Sequence, residues 1–385
     1  MDQPDPLSQT ISTAQDPQRI ATLLRQCRPL QISPPWNPAS FAQHWGEHTG
    51  TAQAVLRGMF DTLANHLTSS SAAAALQPFE LSLKVAGSFS QPQALVTELD
   101  AQCNSYLIIF APGLFTCIAD RFFRLLTCAE HFPDVGDVGA CQTEWSAAPL
   151  ANIPEDPERL RLAMLLSMMS ILLMFYHELA HVLRGHTAFY ANLGVHSLPE
   201  FQPLATGPIV WPQAEPGAGQ AQDADLIRRA LEVDADIHAG LFLATVMQQQ
   251  NPFEEWLFDD MQDSDIYEMV ALCAGIAFNA FEAGRSSKLY HLPGTRTECV
   301  LEGFARALGL DKREEFSIGL NNALQFCAEH YQAPGELDDF NADIDLLENH
   351  TWPMLVKIRD MFAESVPQAW LQRQTQSQTP SGAAP

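Results

Sequence analysis

His177, Glu178 and His181 stand in the order His-Glu-Leu-Ala-His. On a helix, histidines four apart lie one turn above each other on the same face, so their imidazoles can converge on a single ion. Zinc suits such neutral nitrogen ligands, and Glu178 then lies near the open coordination position, where it can take a proton from water on the ion. A site of this kind needs a third protein ligand, with the fourth position left for water.

The elements that must hold this pattern still are legible around it. Leu162 to Tyr176 is a run in which only Ser167 and Ser170 are clearly polar. It is shorter than the roughly 20 residues that a bilayer requires, and it is bounded by Arg161 and the His-Glu pair, so it reads as a buried central helix. A helix apolar on every side is packed on every side. Asp156-Pro157-Glu158-Arg159 is a helix start, with proline in the first turn and acids facing the positive end of the dipole, and Gly185 is a stop. Upstream, Phe79 to Val85, Ala94 to Leu99 and Tyr106 to Phe110 read as strands, with Ala111-Pro112-Gly113 ending the last, and Leu114 to Cys128 as a helix. The edge of such a sheet can hold an extended peptide by backbone pairing.

The fold expected is therefore α+β and mostly α-helical, a small sheet preceding the metal-binding helix and a helical C-terminal half following it. One domain spans 19–365: a helical extension over about 19–70 with Thr51 to Leu67 its best helix, a sheet plus helix over 79–130, the His-Glu helix over 157–186, a Pro/Gly-rich loop over 201–223, a second strong helix over 225–247, and helices over 264–365. The last group comprises Ser264 to Ala283, Thr297 to Leu308, Arg313 to Tyr331 and Met354 to Ala363. Residues 1–18 and 366–385 are polar and expected to be disordered. The 201–223 loop lies between the two candidate ligand helices and is a candidate lid or gate.

Composition narrows the partners. The 385 residues carry 46 acids against 21 bases, a formal charge of −25, which argues against nucleic acid and anionic membrane surfaces. Eight cysteines without a C-x-x-C pair read as reduced thiols in a reducing compartment, and Met1 to Pro6 lacks the basic and apolar regions of a signal peptide. A cytoplasmic protein without an integral membrane segment is expected. Nothing in the sequence sets its oligomeric state.

Glu232-Val233-Asp234-Ala235-Asp236 fits E-x-x-A-D. Together with the upstream H-E-x-x-H, it resembles the glutamate-zincin metallopeptidases, notably the HtpX and CAAX-protease-like and the ImmA/IrrE-like families, with the Lit-type bacterial peptidases a further soluble relative. The resemblance covers about Tyr106 to Arg296 and is specific only at the two helices. It implies a zincin-like core, Zn2+ as cofactor, a protein or peptide as substrate, His177, His181 and Glu232 as ligands, Glu178 as general base, and Asp236 as the carboxylate that orients a ligand histidine. Glu232 and Asp236 are four apart and share a face, as those roles require. The membrane segments of the HtpX-like family and the helix-turn-helix that accompanies ImmA-type repressors are absent from the pattern.

Tyr290-His291-Leu292-Pro293-Gly294-Thr295-Arg296 is similar to the H-P…R segment of several such peptidases, although a leucine separates His291 from Pro293. It makes His291 and Arg296 candidates to stabilise a transition-state oxyanion, against a plain loop and helix start. His186 and His238 read as helix-end or surface histidines, and His350 as turn chemistry. Two other readings compete with a zinc endopeptidase. One is a non-catalytic zinc-stabilised interaction module or inactive peptidase relative, which would not need Glu178. The other is a metal-free helix bundle.

Overall fold

Asp156 opens the central helix. In the computed structural model its carboxylate accepts from the backbone N–H groups of Glu158 at 3.0 Å and Arg159 at 2.9 Å, with Pro157 in the first turn, where no N–H is needed. The helix runs Pro157–Leu183 and stops where Gly185 adopts φ 76°. The described residues are 31–33, 49–70, 80–85, 94–100, 105–141, 146, 150–187, 197–199, 220–249, 263–282, 290–309, 313–331 and 337–359. The expected disordered ends 1–18 and 366–385 and most of the 201–223 loop lie outside them.

In chain order the elements are β1 (Gln31–Ser33), α1 (Thr49–Ser70), β2 (Glu80–Val85), β3 (Ala94–Asp100), β4 (Ser105–Phe110), α2 (Pro112–Thr127), α3 (Pro157–Leu183), β5 (Ser197–Pro199), α4 (Gln220–Gln249), α5 (Asp263–Glu282), α6 (Pro293–Leu308), α7 (Arg313–Tyr331) and α8 (Leu337–Leu346). A single π-helical turn, Leu347–Thr351, joins α8 to a last helix, α9, over 352–359. The described residues are mostly helical with one sheet, as expected for an α+β chain. Pro112 and Pro293 each sit in the first turn of a helix, where a proline is preorganised. The strand ends at Phe110 as expected, and the two helices start at Pro112 and Pro293, two and four residues before the expected Leu114 and Thr297. Helix α8 and the π turn were not anticipated as separate elements.

The sheet has the order β1-β2-β4-β3-β5. Strands β1, β2 and β4 are parallel, and β3 runs antiparallel to β4 and β5. Leu81, Leu83 and Val85 of β2 and Tyr106, Ile108 and Phe110 of β4 alternate inward to the core. Leu95, Val96 and Thr97 of β3 pair with β5, so the edge strands of the sheet are β1 and β5.

Helix α3 is the core of the molecule, packed by α2, α4, α5 and the sheet through β3. It is long and apolar enough to cross a membrane by length and composition alone, yet 94% of its most apolar window is buried inside the protein. Arg159, 1% exposed, donates to the carbonyls of Leu126, Cys128, His131, Phe132 and Val135 at 2.6–3.0 Å. That satisfies a buried cation and ties the end of α2 to the start of α3. Helix α4 lies between α3 and α6, and α4 and α6 meet backbone to backbone. A Cβ on Gly240 would fall 1.9 Å from the Val300 carbonyl oxygen, and one on Gly303 would fall 1.8 Å from that of Ile237. Three helices are thereby brought to one place: α3 with His177 to His181, α4 with Glu232 to Asp236, and α6 with Arg296.

Candidate metal centre

His177 Nε2 and His181 Nε2 are 3.2 Å apart at the end of α3. From α4, Glu232 places Oε2 at 3.3 Å from His177 Nε2 and Oε1 at 3.7 Å from His181 Nε2. A tetrahedral ion with bonds of about 2.0–2.1 Å holds its ligand atoms about 3.3–3.4 Å apart. The three measured separations bracket that value. This buried group can hold a metal ion, and among the described residues it is the one group of three or more His, Cys, Asp or Glu side chains with the required spacing. The charge pattern favours a cation as well. His177 Nδ1 lies 2.8 Å from Asp236 Oδ1, a distance that two acceptors avoid, so the proton sits on Nδ1 and Nε2 turns a lone pair toward the group.

Burial is nearly complete. His177, Glu178, His181, Glu232 and Asp236 are all 6% exposed or less. Desolvation holds His181 well below the usual imidazole range, in the neutral form that ligates metals; the Glu232 carboxylate opposes this shift. Burial alone would raise Glu232, but its two histidine neighbours and Arg296 outweigh it and hold the carboxyl below its usual range. Glu178 occupies the same buried turn of α3 as the two histidines, 1% exposed.

Asp236 takes the supporting position expected of it. Besides its contact with His177, it accepts from Arg296 through Nε at 2.8 Å and Nη2 at 2.9 Å, a two-point pair. Arg296 Nη2 also lies 3.4 Å from Glu232 Oε2, and the guanidinium stacks 4.2 Å over the Phe278 ring. Arg296 is thus brought to the site, but as the charge partner of Asp236 and Glu232 rather than as a donor aimed at an oxyanion. His291 is not brought to it. Its Nδ1 pairs with Asp343 Oδ1 at 3.0 Å and its Nε2 with Thr351 Oγ1 at 2.9 Å. Asp343 also accepts from the N–H of Leu292, the cap of α6, at 2.7 Å. His291 therefore pins the start of α6 to α8 and the π turn. With both ring nitrogens engaged by these partners, the contacts favour the loop and helix start over the oxyanion role as the reading of His291.

His186 and His238, read as helix-end or surface residues, are 2% and 1% exposed. The turn at Gly185 folds His186 back on α3, so that its Nδ1 lies 2.9 Å from His181 Nδ1. Its Nε2 is 3.0 Å from Asp234 Oδ2. Asp234 is also bonded by Arg184 Nε at 2.9 Å and by Arg359 of α9. His238 Nδ1 donates to the Asp234 carbonyl oxygen at 2.6 Å, and burial lowers its pKa to about 3. The acid at position 234 was visible in the sequence. Its partners, 48 to 125 residues away, carried no motif.

The chain matches no family model, no curated protein and no solved structure.

Proposed function

We propose that this chain is a zinc-dependent endopeptidase with a zincin-like core, in which His177, His181 and Glu232 hold the ion and Glu178 is the general base. The observation that carries the reading is the convergence of the two imidazole Nε2 atoms, 3.2 Å apart, with the Glu232 carboxylate, whose oxygens lie 3.3 and 3.7 Å from them, with Glu178 next to one ligand in sequence. The fit is chemical as well as geometric: two imidazole nitrogens and one carboxylate are the donor set of several catalytic zinc sites, which leave a fourth position open.

Zinc, when bound, supplies a Lewis acid that polarises a carbonyl and makes water more acidic. The Glu178 carboxylate takes the proton of the attacking water and returns it to the leaving amide nitrogen. Asp236 keeps the proton of His177 on Nδ1, so that Nε2 is always presented to the ion. Arg296 balances the charge of Asp236 and Glu232, which makes two neighbouring buried carboxylates tolerable. A protein or peptide in the cytoplasm is the proposed substrate.

The second reading, a non-catalytic zinc-stabilised module, draws on the near-complete burial of the group, since structural zinc sites are closed. One experiment separates the two. The zinc-loaded protein is incubated with a cell-free proteome and new peptide termini are counted, wild type against Glu178→Gln. New termini with the wild type and none with the variant are expected, both proteins retaining about one zinc per chain. Stoichiometric zinc without any cleavage by the wild type would leave the non-catalytic module standing.

A further inference from the structure

We infer that His186 and Asp234 are positioning residues of the metal centre, fixing the ring and the proton of His181 as Asp236 does for His177. The inference rests on the metal-binding reading above, and on a chain of contacts that runs from Asp234 to the ion site. Asp234 faces two guanidinium groups, Arg184 Nε at 2.9 Å and Arg359 Nη2, so it is held as a carboxylate. An ionised oxygen 3.0 Å from His186 Nε2 demands a proton on that nitrogen, because two acceptors at this distance repel. A neutral His186 then has its lone pair on Nδ1. That lone pair lies 2.9 Å from His181 Nδ1, so His181 must carry its own proton there.

The consequence is that His181 Nε2 presents a lone pair to His177 and Glu232. Every other neutral arrangement puts two lone pairs or two N–H groups face to face at 3.0 or 2.9 Å. Both rings are buried, which disfavours the cationic form that would escape this constraint. Each of the two histidine ligands is thus oriented from behind by an acid on α4, His177 directly by Asp236 and His181 through the His186 ring by Asp234. The two acids sit two residues apart, on different sides of the helix. Arg359 extends the arrangement to α9, near the far end of the described chain.

The test is metal affinity, with zinc measured by chelator competition and cobalt by its absorption spectrum, on the full chain. His186→Leu removes the acceptor for His181 Nδ1–H and is expected to weaken binding about 10- to 100-fold, the range for losing such a partner. His186→Asn restores an acceptor oxygen near the same place and is expected to recover most of that loss. Circular dichroism and melting of the metal-free proteins establish that each variant is folded, and His186→Phe, closer in shape to the ring, serves if the leucine variant does not fold. A merely structural His186 would give unchanged affinity in every folded variant, or equal loss in the leucine and asparagine variants. Either result overturns the inference while wild-type binding leaves the metal site standing. A wild type that binds neither metal overturns both.

Discussion

At the scale of single residues, His177 Nε2 and His181 Nε2 at the end of α3 and the Glu232 carboxylate of α4 are turned toward one another. That buried group could hold a metal ion, and removing any one of its ligands breaks it. His181→Ala is expected to abolish stoichiometric zinc binding, checked by metal analysis after dialysis. Asp236→Asn keeps the volume but replaces a charged acceptor that also anchors Arg296 through two contacts at 2.8 and 2.9 Å. Zinc affinity should fall about 10- to 100-fold, read by the same chelator competition. Glu178→Gln should keep the metal and lower any peptide hydrolysis by about 100- to 10,000-fold, the scale of general-base catalysis. A Gln variant with wild-type kcat would remove Glu178 from its role.

At the scale of elements, the site depends on how closely α4 can approach its neighbours. Gly240 and Gly303 let α4 and α6 touch through their backbones, and a methyl group on either would meet a carbonyl oxygen within 2 Å. Neither listener can give way, since both atoms belong to helical main chain. Gly240→Ala and Gly303→Ala are therefore each expected to destabilise the protein by about 1–3 kcal/mol or more, as overpacking does. Because the two helices carry Asp236 and Arg296, the same variants should also weaken zinc binding. Denaturant unfolding and chelator competition measure the two effects separately. A variant as stable as wild type would show that the helices can separate at little cost.

At the scale of the whole molecule, burying so many titratable groups makes stability depend on pH. Burial lowers the pKa of His181, His186 and His238 below the ordinary imidazole value of 6.5. Between that value and their depressed folded values, the unfolded chain binds protons that the folded chain does not, so stability rises with pH. The same sign holds for Asp234 and Glu232, whose carboxyls are held below the ordinary values of 3.8 and 4.5. Asp120, raised by burial, opposes them as a single group. The metal-free protein is therefore expected to be most stable above pH 6.5, to lose stability as the histidines' ordinary range is crossed, and to lose more near pH 4. A melting series from pH 8 to pH 4 in a chelator measures this. A melting temperature that stays flat from pH 7.5 to pH 5 would show that the three rings take up protons while folded.

The sequence by itself determined the local parts of this protein. The alternating run at 79–85, the apolar run at 106–110, the Asp156-Pro157 start and Gly185 stop of α3, and the spacing within H-E-x-x-H are all written within a few residues, where chain geometry dictates which side chains share a face. His177 and His181 were legible for that reason, and Glu232 and Asp236 through the likeness of their stretch to E-x-x-A-D. Tertiary structure decided everything that depends on long-range neighbours. His291 has a motif-like setting, yet Asp343 and Thr351 hold its ring away from the site. Arg296, anticipated as an oxyanion donor, is held by Asp236. His186, unremarkable in sequence, is folded onto His181 by a single glycine turn, and Asp234 draws on Arg359 from 125 residues away. Spacing along a helix is set by covalent geometry, but which charge a buried acid meets is set by packing between helices, and that is fixed only when the whole core closes.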